Sequence, residues 1–125
     1  MSRTLPADLF DFRKRVSYDP EAKRLFHRHA RHQLLALAAT LGFGEDQFDL
    51  RSNEAGIAVS GEITLHADQL YVQVSQPATR ADTGILFRSC RDRRDYVGGV
   101  NNFASLDLLH RPDELACRIR LAGLA

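Results

Sequence analysis

Glu62-Ile63-Thr64-Leu65-His66-Ala67-Asp68-Gln69-Leu70-Tyr71-Val72-Gln73-Val74-Ser75 alternates apolar and polar residues on both sides of a turn-like Ala67-Asp68 break. A period of two marks a strand with one face on a core. Ile63 and Leu65 fall on one side, with Glu62, Thr64 and His66 on the other. After the break, Leu70, Val72 and Val74 oppose Tyr71, Gln73 and Ser75. So short a connection makes the two strands antiparallel neighbours.

The alternation extends in both directions. Upstream, Ile57 and Val59 oppose Ala58 and Ser60; beyond the Asn53–Gly56 break, Phe48 and Leu50 alternate. Downstream, across a polar connection from Gln76 to Thr83, Ile85 and Phe87 oppose Leu86 and Arg88. Together these segments predict a four-stranded, mainly antiparallel meander. One apolar and one polar face predict a sheet covered on one side only.

The cover comes from the N-terminal side. In Tyr18-Asp19-Pro20-Glu21, Asp19 suits a cap, Pro20 the first helical position, and Glu21 the positive end of the dipole. Phe26, Ala30, Gln33, Leu34, Leu37 and Leu41 recur at helical spacing, and Gly42 and Gly44 supply the stop. Leu34 to Ala39 is apolar nearly all round, which predicts the deeper burial at that end. Before this helix, Leu9, Phe10, Phe12 and Val16 predict a further helix of about two turns. After the strands, Ser105 can cap a short turn through Leu106, Leu108 and Leu109. Pro112-Asp113-Glu114 opens a last helix with Leu115, Ile119 and Ala122 on its apolar side. The expected fold is therefore one α+β domain over residues 1–125: a long N-terminal helix on the sheet, with short C-terminal helices.

At 125 residues and 44% hydrophobic composition, one core suffices and wholesale disorder is excluded. The net charge of +1 supplies no global attraction to nucleic acid or to an anionic membrane, so charge must act through its distribution. Leu34 to Leu41 is far too short to span a bilayer, and the N-terminus lacks the apolar core of a secretory signal. Cys90 and Cys117 make no disulfide framework, and a reduced cytoplasmic setting is expected.

The distribution singles out two regions. On the helix, Lys23, His27 and Arg31 form one row at four-residue spacing, and Arg24, Arg28 and His32 form the next. They make a basic face about 100–140° wide. Between residues 13 and 32, seven Lys or Arg face only Asp19 and Glu21. Lys23, Arg24, His27, Arg28 and Arg31 are the candidate polyanion contacts; the plain alternative is a solvated helix face. His27, His29 and His32 do not make a metal site, because His27 points away from the edge the other two share and Arg28 and Arg31 repel a cation.

The second region is the polar loop Arg88 to Asn102. Arg88, Arg91, Arg93 and Arg94 carry fork-shaped donors suited to phosphate or carboxylate. Gly98-Gly99 can present backbone N–H groups, Tyr96 can stack on a ring, and Asn101 and Asn102 can read a ligand edge. The loop matches neither the phosphate-loop nor the dinucleotide glycine pattern. Its alternative is self-pairing, with Asp92 and Asp95 holding the arginines. Cys90 among arginines would have a lowered pKa if exposed, but a buried structural thiol is the expected role, and no nucleophile–base pair stands out.

The leading expectation is a small cytoplasmic module that binds nucleic acid or another polyanion through the basic helix face, with the loop contributing. It needs no cofactor and no metal. A regulatory or interaction subunit with an acidic or identical partner is the first alternative. A small enzyme with its site at the loop is the second.

Overall fold

Five antiparallel strands run in simple order β1-β2-β3-β4-β5: β1 Phe48–Asn53, β2 Glu62–Ala67, β3 Leu70–Ser75, β4 Ile85–Ser89 and β5 Asn102–Ala104. They belong to a computed structural model that describes residues 10–16, 19–55, 60–76 and 83–124. Helix α1 spans Pro20–Thr40 and helix α2 spans Pro112–Leu121. The α+β class, the long helix, the meander and the C-terminal helix are as the sequence predicts. The sheet has five strands rather than four. The extra one, Asn102–Ala104, is too short for an alternation of its own, and its pairing with β4 is set by long-range register.

Asp19 caps α1 as its residue type dictates, its carboxylate accepting from the N–H groups of Glu21 and Ala22. The helix stops at Leu41 because Gly42 takes a φ of +83°, open to glycine at little cost. Phe26, Ala30, Leu34 and Leu37 pack onto Ile63, Leu65, Val72, Val74, Ile85 and Phe87, the inward residues of the sheet. Ile57 and Val59, expected in this set, lie outside the described residues. Burial of the helix's second half is not all round: Leu35 is 44% exposed and Ala39 is exposed. Leu115 and Ile119 of α2 close the core, whereas Ala122 ends the helix in solvent.

Residues 10–16 do not form the expected helix. Asp11 folds back on the Arg13 N–H, and a turn follows at Phe12–Lys14. The buried Gln76 side chain then takes over the backbone polar groups. Its Nε2 donates to the carbonyls of Phe12 (2.8 Å) and Lys14 (2.7 Å), and its Oε1 accepts from the Val16 N–H (3.3 Å). Helical periodicity in this segment reflects only that Phe12 and Val16 must both reach the core.

The outer sheet face is not simply solvated either. Thr64, His66, Tyr71 and Arg88 are buried there, because residues 92–101 fold back across it. Ser60, expected on that face, precedes β2 and is fully buried, donating to the Gly61 carbonyl and accepting from Gln76 N–H.

Candidate functional site

Two surfaces gather the residues singled out by sequence, and they lie on opposite sides of the sheet. The first is a groove between α1 and the edge strand β1. Lys23 Nζ donates to the Glu54 carbonyl at 2.6 Å, and the Phe43 and Phe48 rings meet at the other end with centroids 6.5 Å apart. The helix therefore runs alongside β1 in the opposite sense. Arg24, Arg28 and Arg31 line the groove with Ser52 at its far wall. Arg24 pairs with Glu21, but Arg28 and Arg31 are exposed and make no ion pair among the described residues.

His27 lies at the floor of that groove, behind the arginines. Its ring is buried, and Nε2 lies 2.6 Å from the Ser60 carbonyl, which makes it the donor that this buried oxygen requires. The helical wheel put His27 in a row with Lys23 and Arg31; tertiary packing turned it inward. His29 stacks on Phe10, and burial, with the nearby Arg28, His32 and His110 charges, lowers its pKa. Among the described residues no three His, Cys, Asp or Glu side chains cluster as metal ligands.

The second surface is the outer face under the loop. Register aligns Asp49, His66, Tyr71 and Arg88 in one row across four strands. Arg88 donates to the Tyr96 carbonyl and to Asn101 Oδ1, and its guanidinium lies 4.2 Å from the Tyr71 ring centroid. It has no carboxylate partner among the described residues, and its buried Nε is unpaired. Gly98 packs against that nitrogen so closely that a Cβ there would lie 2.5 Å away. Gly98 itself has a φ of +61°.

His66 is fully buried, sitting edge-on to Tyr71 and Tyr96. Its Nε2 donates to the Asp92 carbonyl at 3.0 Å, which leaves Nδ1 to accept from Arg51 Nη1 at 3.5 Å. Burial lowers its pKa, against the opposing hydrogen bond to the Asp92 carbonyl, and the Arg51 and Arg88 charges add to the lowering. Burial likewise raises the Tyr71 phenol. Neither His66 nor Tyr71 entered the sequence-based site. The register row could have flagged them only once the pairing of all four strands was known.

Most of the loop is spent on holding itself. Asp95 accepts from the N–H groups of Gly98, Arg91 and Val97, and these backbone donors lower its carboxyl to about 2. Arg93 spans Asp68 at 2.9 Å, Asp49 and the Asp46 carbonyl. Asn102 belongs to β5 and donates to the Phe87 and Val100 carbonyls. Arg91 and Arg94 remain outward, the Arg91 side chain 91% exposed at 3.7 Å from Asp95. Tyr96 is 56% exposed, with Arg51 above its ring at 5.7 Å. Cys90 is buried and donates to the Ala67 carbonyl; burial, then Asp95 and Asp92, raise its pKa, the reverse of what an exposed thiol among arginines would show.

No protein-family model, curated protein or solved structure matches the chain. No helix among the described residues is long and apolar enough to cross a membrane.

Proposed function

We propose that this chain is a small binding module that takes nucleic acid or another polyanion on the basic face of α1, through Lys23, Arg24, Arg28 and Arg31. The observation that carries it is the pair of exposed arginines, Arg28 and Arg31, which make no ion pair among the described residues and line a groove. Guanidinium forks left in solvent are matched to phosphate or carboxylate oxygens. His27 supports the face from inside rather than as a contact. The loop contributes Arg91 and Arg94 at most, because Arg88 and Arg93 are engaged internally. The free thiols of Cys90 and Cys117 support a reducing, cytoplasmic setting.

The test is fluorescence anisotropy with short single-stranded DNA, duplex DNA and RNA at low and moderate salt. A variant with Lys23, Arg24, Arg28 and Arg31 all changed to Gln runs alongside. Affinity should fall steeply with salt and be lost in the variant. Binding that ignores both changes, or no binding of any anion, overturns the reading.

A further inference from the structure

The groove has a second wall that an anion alone would not use. β1 is an edge strand six residues long, bonded to β2 on one side; among the described residues no strand pairs with its other side. Open edges of this length template the addition of another strand. The usual protections are missing: β1 contains neither proline nor lysine, and its outward Asp49 and Arg51 neutralise one another at 3.5 Å. The opposite edge differs, since β5 has only three residues and leads straight into the 3-10 turn Leu106–His110. Phe48 and Leu50, inward on β1, are only half-buried, as expected where a neighbouring strand is lacking.

The geometry points to an extended acidic peptide segment as the occupant, added as a sixth strand along β1 with alternate carboxylates turned toward Arg24, Arg28 and Arg31. This deepens, and rests on, the reading of the α1 face as an anion site. Spacing supports it. Arg24, Arg28 and Arg31 lie about 6 Å and about 4.5 Å apart along the helix axis. Same-side residues of a strand recur about every 6.8 Å, and arginine side chains readily take up the difference. Because α1 runs alongside β1, the row of cations follows the row of inward side chains. Main-chain hydrogen bonds to the edge would give affinity, and the alternating carboxylates would give register. Charge favours a peptide over a nucleic acid here: Glu21 and Glu54 interrupt the basic lining of the groove, which suits spaced carboxylates better than a continuous phosphate chain.

The test uses a fluorescent alternating Glu-Val peptide of roughly eight residues, long enough for one strand. Its companions are a block-order peptide of the same composition, a Lys-Val peptide, two Glu-Val peptides N-methylated at alternate residues in opposite phases, and a single-stranded oligonucleotide. The alternating peptide should bind, the Lys-Val peptide should not, and the block peptide should be weaker. One N-methyl phase should lose binding and the other keep it, since only one phase points its N–H groups at β1. The Arg28→Gln/Arg31→Gln variant, folded by circular dichroism, should weaken binding on the order of tenfold or more. If the oligonucleotide binds and no peptide does, or both N-methyl phases bind alike, strand addition is overturned while the anion reading stands. If no anionic probe binds, both fall together.

Discussion

Arg88 and Asp95 are the two charged residues that do most to shape the outer face, and they work by opposite means. Arg88 is a buried cation whose role is positional: it supplies donors to the Tyr96 carbonyl and Asn101 and lies over the Tyr71 ring. Arg88→Ala strands two acceptors and removes the cation over that ring, and should cost about 2–4 kcal/mol of stability by urea unfolding. Arg88→Lys should recover only part of this, because an ammonium lacks the planar fork. Asp95 instead accepts, gathering three backbone N–H groups into a closed turn. Its folded carboxyl sits at about 2, below the ordinary value near 4. The lowered value means the unfolded chain binds the proton more readily. Asp95 therefore contributes its full stabilisation above about pH 4 and loses it as pH falls through about 2. Unfolding midpoints between pH 7 and pH 2 should lose that part of their slope in Asp95→Asn, whereas an unchanged slope would refute the role.

At the scale of elements, local signals and long-range pairing divide cleanly. The α1 cap, the glycine stop and the stripe of Phe26 to Leu37 were legible because each depends on residues within a few positions. The paired alternation in β2 and β3 was legible for the same reason. Residues 10–16 misled because periodicity reports which side chains are buried and not where backbone hydrogen bonds go. Gln76, sixty or more residues away, answers that question by bonding to Phe12, Lys14 and Val16. Gln76→Leu should leave three backbone groups without partners and cost about 2–4 kcal/mol. Hydrogen exchange should then speed up at Val16 while the β2 and β3 amides change far less. Uniform acceleration across the sheet would argue for a general core defect instead.

For the molecule as a whole, the decisive arrangement is that the basic helix face and the arginine loop occupy opposite sides of one sheet. Charge removal at each should then act independently. Arg91→Gln/Arg94→Gln should leave oligonucleotide or acidic-peptide affinity within about twofold of the parent, on the order of 0.4 kcal/mol. Substitution at Arg28 and Arg31 should remove most of it. Equal losses from the two variants in anisotropy titrations would mean that one ligand spans both sides, contrary to this arrangement.

The sequence by itself determined the class of fold, the helix ends, the inward residues of β1 to β4 and the presence of two arginine-rich regions. Those features rest on short-range periodicity, capping chemistry and composition. Only the tertiary structure decided that His27 turns inward to serve Ser60, that Arg88 and Arg93 are spent on the loop, and that Arg28 and Arg31 line a groove beside edge strand β1 with no ion pair among the described residues. The physical reason is that a charge's availability depends on which distant donor or acceptor needs it. That demand is set by strand register and loop path, which no local pattern encodes.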